Sequence, residues 1–488
     1  MIAHDLFLPL PLPILSLGSM LLLGSIAWRR SLTRSLAIGF FTLVLALGSL
    51  NYHLGSPQVE GASLFVQDRW ANYTALLILL SSLCILLMSW RDLHHDKTHP
   101  MDEYPLLLVL GTLGAITMVF STNYLPFFLG VEIQTLSLMG LVASRPYYFA
   151  QATEASMKYL ILSGVSSAIL LFGIGLAYAT TGSLYFSPPP ASPDNTIPAI
   201  ATIMILVGVF FKLSAVPFHM WLPDVMEGSP PPVAAFMAVV SKIAIFSSLV
   251  RYFGTEETPV YLHGILFTVI ILTILGGNIL ALRQTNLIRL LAYSSIAHVG
   301  YLLIAFFSPG QLRSEAITLY LAAYAASTLG IFAIICAFSW AENSNGSHIP
   351  EWKGLFYTRP FLATTLSLML LSLAGIPPGI GFFAKFEVAA TGVERQQTLL
   401  LATLVVGSII GLYYYLYVIR TLMGAQNTPS LPAKEGHSPE LTTLIVVLTL
   451  IVVVGGIFPA RMIPQVLPSP TSPQNGLVND PVHEPENS

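Results

Sequence analysis

Long apolar stretches, each about the length that a helix needs to cross a bilayer, follow one another along almost the whole chain. A spanning helix needs about 20 predominantly apolar residues, and the hydropathy pattern predicts fourteen such spans. The spans around Pro217 and Pro377 can each be interpreted as one helix or as two. The predicted spans cover residues 8–27, 33–53, 72–90, 104–121, 124–144, 154–180, 199–222, 231–253, 260–282, 289–308, 315–340, 360–391, 398–423 and 441–460.

Composition assigns the chain to one class. Hydrophobic residues make up 54% of the 488 residues and charged residues only 9%, with a mean hydropathy of +0.73. A soluble core cannot use so much apolar sequence. The predicted fold class is therefore an all-α polytopic membrane protein with no soluble domain. The net charge of −3 is too small to indicate a charged partner, and nothing in the sequence favours nucleic acid.

The positions of lysine and arginine predict how the chain is oriented in the membrane. Twelve of them follow the odd-numbered spans, whereas five fall on the opposite side. Because short cytoplasmic loops carry the excess of basic residues, both termini are predicted to be outside, in the periplasm of a bacterial inner membrane. No basic segment precedes the first apolar run, so that run is predicted to be a retained span rather than a cleaved signal.

Four lysines lie inside predicted spans, and Glu132 is the only deep carboxylate on the amino-terminal side of the three deep ones. Lys212, Lys242 and Lys385 are deep, Lys158 is shallower, and Glu132 precedes the three deep lysines. A charge at the bilayer centre costs at least ~3 kcal/mol, so such residues usually line an ion path or a ligand site. This set of residues predicts a proton or cation conductor.

The spacing of these residues suggests how protons could move. A desolvated lysine releases its proton more readily than one in water, and Glu132 could control the charge of Lys212. His219 is seven residues after Lys212, so the two share a helix face unless the kink at Pro217 rotates it. The predicted path is Glu132–Lys212–Lys242–Lys385, bridged by water and by His219. The alternative is a static Glu132–Lys212 pair that holds helices together.

Two further positions have open interpretations. Glu154 lies four residues before Lys158, the favourable order for a helical ion pair, so Lys158 is equally well interpreted as half of a structural pair or as a proton inlet. His298 lies among small residues suited to close helix packing. Taken alone, it is more often a satisfied histidine of a helical bundle than a proton relay.

A coarse duplication divides the chain. Residues 104–253 and 254–425 each contain five predicted spans, including one interrupted by proline near a lysine. An odd number of spans gives the two blocks opposite orientations, so we predict two inverted repeats whose broken helices meet near the midplane. Three spans (residues 1–103) precede them, one span (426–464) follows, and residues 465–488 are expected to form a mobile tail.

Motifs for bound cofactors are missing from the sequence. It contains neither a dinucleotide-binding nor a P-loop glycine motif, and Cys84 and Cys336 stand in separate spans without CxxC spacing. We therefore expect no cofactor, no metal and no redox centre in this chain. If the protein pumps ions, its energy must come from partners.

Three long segments resemble the antiporter-like membrane subunits of respiratory complex I, the NADH:quinone oxidoreductase. They are FKLSAVPFHMWLPDVMEGSPPPVAAFMAVVSKIAIF, GGNILALRQTNLIRLLAYSSIAHVGYLLIAF and LSLAGIPPGIGFFAKF, and the similarity extends over residues 72 to 425. VEIQTLSLMGLVAS and EASMKYLILSGVSSAILLFG are most similar to the N-type branch, the homologues of mitochondrial subunit 2. The lysine in the twelfth span and the lack of a long lateral helix after the last span separate this branch from its M-type and L-type sisters.

The resemblance implies fourteen helices with two inverted five-helix half-channels. It also implies that Glu132 is the glutamate of the fifth helix, Lys212 the lysine of the broken seventh and Lys242 that of the eighth. Lys385 then belongs to the broken twelfth helix. Lys158 and His219 match further positions of the polar axis. SPPP stands where the family usually has APAP, a departure that removes no titratable group.

The implied function is proton translocation within a multi-subunit translocase. The implied partners are the sister antiporter-like subunits and other membrane subunits, and the lipid bilayer surrounds the chain. Other subunits would carry FMN and iron–sulfur clusters, and quinone would be the substrate of the complex. One alternative is a subunit of a Mrp-type Na⁺/H⁺ antiporter. A structural spacer with an inactive channel is disfavoured, because such a channel has no reason to keep charges in lipid.

Overall fold

The computed structural model describes residues 8–50, 64–95, 101–144, 149–186, 188, 196–254, 258–342, 346–425 and 439–459. Within this part the chain forms helices and no named strand, and the backbone forms isolated bridges only between three residue pairs. The predicted tail at 465–488 and the end of the segment 426–464 lie outside the described residues.

The described residues form eighteen α-helices joined by short connections. They are α1 (Pro11–Trp28), α2 (Leu32–Ser49), α3 (Arg69–His95), α4 (Tyr104–Phe120), α5 (Tyr124–Val142), α6 (Phe149–Thr181), α7 (Ile197–Leu213), α8 (Trp221–Gly228), α9 (Pro231–Ala238), α10 (Val240–Phe253), α11 (Val260–Ala281), α12 (Leu287–Ile304), α13 (Gly310–Glu342), α14 (Leu355–Thr358), α15 (Pro360–Ala374), α16 (Ile380–Glu394), α17 (Thr398–Leu422) and α18 (Pro439–Ile457).

All fourteen predicted spans contain helix, which confirms the predicted fold class. Eleven helical segments are long and apolar enough to cross a membrane, counting α9 and α10 as one, and α4, α7 and α15 are shorter apolar helices. Together they account for the fourteen spans; α16 is the second half of the broken twelfth span, and α8 begins where the predicted seventh span ends. The division into two inverted repeats stays a prediction.

Local sequence explains where several helices begin. Proline stands in the first turn of α4, α7, α9 and α15, where its missing N–H would have had no helical partner. Asn123 and Asn286 cap α5 and α12 by accepting hydrogen bonds from backbone N–H groups. Such caps satisfy donors that lipid cannot.

The seventh span breaks between Leu213 and Trp221. Ser214 takes a left-handed conformation (φ 61°), and the carbonyl of Phe211 accepts hydrogen bonds from Ser214 N at 2.9 Å and Trp221 Nε1 at 3.1 Å. Thr273 Oγ1 on α11 accepts from Val216 N at 3.0 Å. Backbone and side-chain groups of the protein thus pair the polar backbone at this break, as a break inside a membrane requires.

The twelfth span breaks between Ala374 and Ile380. Gly375 has φ 85°, which glycine adopts without cost. A Cβ on Gly381 would lie 1.9 Å from the carbonyl oxygen of Ser372, so only glycine permits the second half of the helix to start so close to the first. The two breaks share a left-handed residue directly after the first helix ends, which agrees with the predicted placement of both interruptions.

Burial distinguishes the centre of the bundle from its lipid-facing helices. The spans formed by α9–α10, α12 and α13 are 94%, 94% and 89% buried, whereas α1, α2, α17 and α18 are 33–39% buried. Polar side chains on α10, α12 and α13 therefore face protein rather than lipid. Charges in that position have to be satisfied within the protein.

A buried ion pair joins the three N-terminal helices to the first block. Arg251, in the last turn of α10, donates two hydrogen bonds of 3.0 Å to the carboxylate of Asp68, and both side chains are at most 1% exposed. Asp68 also accepts from Ala71 N at 2.7 Å, at the start of α3. Arg251 is therefore a helical residue whose charge is paired with a carboxylate.

Asp68→Asn should destabilise the protein by about 3 kcal/mol, because it leaves the Arg251 charge buried without its counter-ion. Asparagine retains an oxygen for the helix-capping hydrogen bond, so the loss reports the charge. The fraction of intact complex after heating, measured on native gels, gives the midpoint temperature. Glu103→Gln is the control, since Glu103 pairs with Arg30 at an exposed site and should shift the midpoint little. Equal midpoints for the two variants would contradict the prediction.

Candidate functional site

The centre of the bundle holds Lys242, which is 3% exposed. Its Nζ donates to the Ser295 carbonyl on α12 at 3.0 Å and to the Ser295 hydroxyl. That hydroxyl lies 2.6 Å from the Tyr324 hydroxyl on α13. The ammonium group thus starts a row of hydroxyl groups, each of which can both donate and accept a proton.

His298 lies one helical turn after Ser295, among tyrosines. Its Nδ1 is 2.7 Å from the Tyr320 hydroxyl and its Nε2 is 3.4 Å from the Tyr415 hydroxyl on α17. The Tyr324 ring is 5.3 Å from the imidazole, centroid to centroid. His298 is therefore a satisfied bundle histidine. Its place beside Lys242, Ser295 and Tyr324, the start of a row of polar groups that ends at Lys385 and is called the lysine row below, was not apparent from the sequence.

A small cavity connects His298 to Lys385. Its volume is about 10 Å³, roughly the space that one water needs. Lys385 Nζ donates to the Ala374 carbonyl, at the end of α15, at 2.8 Å. The broken twelfth helix thus supplies the acceptor for this lysine. The cavity is lined by His298, Tyr320, Ala323, Tyr324, Ser327, Ser372, Leu373, Gly381, Ala384 and Lys385.

Lys212 and Glu132 are close but not in contact. Lys212 Nζ donates to Thr135 Oγ1 at 2.6 Å and lies 5.8 Å from the centroid of the Tyr159 ring. Glu132 lies within electrostatic reach of Lys212, and its Oε1 is buried without a hydrogen-bond partner in the described structure. No ion pair within 4.0 Å joins the two, so the static pair weighed from the sequence is not formed here.

Lys212 and His219 do not share a helix face, because the break at Pro217, the exception allowed for from the sequence, lies between them. Helix α7 ends at Leu213, and His219 lies in the non-helical segment before α8. Its Nδ1 is buried without a hydrogen-bond partner among the described residues. Helical spacing cannot be extended across the break, so the seven-residue separation does not place His219 on the face of Lys212.

Lys158 belongs to an ionic cluster away from the lysine row. It pairs with Glu154 at 2.8 Å and with Asp224 on α8 at 3.0 Å. Arg289 on α12 pairs with the same Asp224 at 2.8 Å and with Glu227 at 2.7 Å. The cluster therefore ties α6, α8 and α12 together, and Asp224 is the acceptor for cations on both sides.

Several polar groups around the lysines were missed from the sequence. Ser295, Tyr320, Tyr324 and Tyr415 are buried on three helices, and no single stretch shows that they meet. The available signal was helical spacing: Ser295 and His298 are three residues apart, and Tyr320 and Tyr324 four apart, so each pair lies on one face.

The two cysteines lie on different helices, Cys84 half-buried on α3 and Cys336 buried on α13. Among the described residues, no group of three or more His, Cys, Asp or Glu side chains could hold a metal ion. The chemistry that the arrangement supports is proton binding and release at membrane-buried lysines.

Fold and site together define an antiporter-like membrane protein with buried lysines next to broken helices. Residues 121–411 match the family model described as NADH:quinone oxidoreductase/Mrp antiporter, TM. The chain belongs to this family of membrane subunits.

Two relatives indicate which branch of the family the chain resembles. The chain is 39% identical over 430 residues to NADH-quinone oxidoreductase subunit N of Ectopseudomonas mendocina, covering 86% of this chain and 87% of the relative. It is 37% identical to the protein of the same name from Methylococcus capsulatus, covering 95% and 96%. The resemblance to the N-type branch of complex I is thereby confirmed.

Solved structures share the fold. A chain of respiratory complex I from Thermus thermophilus with bound aureothin is 29% identical and superposes with a TM-score of 0.79, covering 93% of this chain and 98% of that chain. An archaeal membrane-bound sulfane sulfur reductase (TM-score 0.82) and a Mrp complex from Dietzia (0.80) are each 21% identical, and each match covers 93% of this chain and 96% of that chain. At 21% identity, the last two structures show only that the fold is shared.

Asp224→Asn should loosen α8, because one carboxylate holds both Lys158 and Arg289. Burial raises the pKa of Asp224, but hydrogen bonds from Arg289 and Lys158 outweigh burial and hold the pKa below its usual range. Since the groups are partly exposed, we expect about 1 kcal/mol of lost stability. Hydrogen exchange of residues 221–228 at neutral pH should accelerate several-fold.

The matched control is Glu154→Gln, which removes one exposed partner of Lys158 and should leave exchange in α8 unchanged. A lowered pKa contributes stability above the pKa of the unfolded state, near 3.8, and the contribution is lost as the pH falls through the folded value. The difference between Asp224→Asn and wild type should therefore vanish in acid. Identical exchange in both variants at neutral pH would count against the role given to Asp224.

Proposed function

We propose that this chain is the N-type, proton-translocating membrane subunit of NADH:quinone oxidoreductase, in a bacterial inner membrane with both termini in the periplasm. Its proton-transfer groups are Glu132, Lys158, Lys212, His219, Lys242 and Lys385. Partner subunits would carry the FMN and iron–sulfur clusters and reduce quinone, and this chain would couple that reaction to proton movement.

The row from Lys242 to Lys385 is the observation that carries the proposal. Ser295 and Tyr324 extend from Lys242, His298 lies beside them, and a cavity with room for about one water reaches Lys385. Hydroxyl groups, imidazole and water can pass a proton along such a row. Each end is an amine that can be charged or neutral.

In the first half-channel, formed by residues 104–253, Glu132 would control the charge state of Lys212. Glu132 is near Lys212 without pairing with it, so a modest movement can strengthen or weaken their attraction. In a low-dielectric interior such a change alters the charge state of a lysine more than it would in water. No hydrogen bond joins Lys212 to Lys242 in the described structure, so transfer between them needs bridging water or a conformational change.

A subunit of a Mrp-type antiporter is the second candidate. The Mrp structure supports it through the fold, at 21% identity. The two relatives named subunit N, at 39% and 37%, favour the complex I assignment. The proteins that copurify with this chain separate the two candidates.

Lys385→Arg tests the proton carrier directly. Guanidinium stays protonated at any relevant pH, so the variant should assemble well but lose most proton pumping. Proton uptake by inverted vesicles, normalised to complex content, measures the effect. Lys353→Arg, at an exposed position, is the matched control and should pump like wild type. Near wild-type pumping by Lys385→Arg would refute the carrier role.

Glu132→Gln should impair pumping more than Glu132→Asp, because only glutamine removes the charge that acts on Lys212. Aspartate keeps the charge but withdraws it by about one methylene, so its effect should be intermediate. Proton uptake per NADH oxidised gives the comparison in the same vesicles. Equal loss in both variants with normal assembly would indicate a steric role for Glu132.

A further inference from the structure

Lys385 carries its charge without a carboxylate partner. None of the described acidic side chains lies within 4.0 Å of its Nζ. The groups that meet the ammonium are the Ala374 carbonyl, at 2.8 Å, and the face of the Tyr301 ring, whose centroid is 5.1 Å away. A helix C-terminus and an aromatic face both attract a cation.

Tyr301 is held firmly in place. Its ring is buried on α12, and its hydroxyl accepts a hydrogen bond from Asn278 Nδ2 on α11 at 2.9 Å. The same Asn278 nitrogen donates to the Ile274 carbonyl at 2.8 Å, and Asn278 Oδ1 accepts from the Tyr414 hydroxyl at 3.2 Å. Asn278 is fully buried, so its amide is fixed by three contacts.

Gly407 on α17 makes room for this arrangement. A Cβ at that position would lie 2.9 Å from the Tyr301 hydroxyl, 3.0 Å from Asn278 Nδ2 and 2.4 Å from Ile274 Cγ2. Glycine therefore lets α17 approach closely enough for Tyr414 to reach Asn278. Residues from three helices combine to set one tyrosine ring against Lys385.

We infer that Tyr301 selectively stabilises the protonated form of Lys385, and that Asn278 is the residue that positions Tyr301. The ring attracts an ammonium but has little interaction with a neutral amine. Unlike a carboxylate, it cannot take the proton. This inference rests on the proposed function, since it assigns a role to the surroundings of a proton carrier.

The first half-channel shows a related arrangement. Among the described residues, Lys212 also has no carboxylate within 4.0 Å of its Nζ. It lies 5.8 Å from the centroid of the Tyr159 ring, with Thr135 as its hydrogen-bond acceptor. In both halves a lysine beside a broken helix therefore meets one oxygen acceptor and one tyrosine face. The recurrence supports a role for the ring in holding a transferable charge.

Other titratable groups near Lys385 come from the helices packed against α16. Helix α12 contributes His298, α13 contributes Tyr320 and Tyr324, and α17 contributes Tyr414 and Tyr415. Helix α15 and the turn at Ala305–Phe307 contribute none, and α18 has only Glu440, in its first turn. Farther along α16, Glu387 lies within electrostatic reach of Glu315 on α13. Each of these groups is retained in the variants below, so a shift in pH dependence reports the ring.

The test measures how proton pumping by the assembled complex depends on pH. The alkaline limit is the pH above which pumping is lost because Lys385 no longer binds a proton. With Tyr301→Leu this limit, measured in inverted vesicles, should move to lower pH by about one unit, the size expected for a desolvated cation–π contact. Tyr301→Phe keeps the ring and should shift it much less. Tyr293→Leu, a tyrosine of the same helix without a described contact to Lys385, is the control and should not shift it.

Because leucine could prevent assembly, a second series keeps the shape of the ring. Increasingly fluorinated phenylalanines at position 301 weaken the attraction for cations, so the alkaline limit should fall stepwise with fluorination relative to Tyr301→Phe. An unchanged limit across that series, in assembled complex, would overturn the inference.

A double-mutant comparison tests Asn278. If it acts through the Tyr301 hydroxyl, Asn278→Leu should shift the limit in the same direction, and adding it to Tyr301→Phe should produce no further shift. Additive shifts would show that Asn278 acts elsewhere. Lys385→Arg separates the two proposals: if it pumps normally, the proposed function fails. If it does not pump while the fluorinated series leaves the limit unchanged, only the inference fails.

Discussion

The cost of placing ammonium groups in a membrane-buried bundle is the constraint on which the rest of the structure depends. Lys212, Lys242 and Lys385 have no carboxylate within ion-pair distance in the described residues, and each is satisfied by neutral oxygen atoms. Hydroxyl and carbonyl groups lower the cost of the charge without fixing it as strongly as an ion pair would. Such a lysine can exist in both protonation states, which is what the proposed function requires.

The broken helices follow from the same constraint. Inside a continuous helix each carbonyl oxygen already accepts a bond from its own chain, so a lysine there has to share its acceptor, as Lys242 shares the Ser295 carbonyl. The break after Ala374 frees a carbonyl for Lys385, while the ends at the break after Leu213 are satisfied by Trp221 and Thr273. Interrupted backbone is tolerated in a membrane because these groups are paired within the protein.

Two ionic contacts outside the lysine row hold the helices that carry it. Asp68 and Arg251 fasten α3 to α10, the helix of Lys242. Asp224 and Arg289 fasten α8, directly after the first break, to α12, the helix of His298. In both contacts an arginine is paired with a carboxylate, and the pair holds two helices together. The protein therefore uses ion pairs where helices must be held together and unpaired ammonium groups in the lysine row.

Much of this protein could be predicted from the sequence alone, because lipid imposes simple rules on a chain. Apolar length determined the fourteen spans, and the cost of charge in lipid singled out Glu132 and the lysines. Pro217 and Pro377 marked the two breaks. The meeting of Ser295, Tyr324, His298 and the cavity at Lys385 was decided by tertiary packing, because those residues come from different helices and helical spacing relates only neighbours on one helix. The partners of Lys212 and Lys158 depended on it as well, since Thr135 and Asp224 lie 77 and 66 residues away in the chain, and spacing cannot relate residues across a helix break.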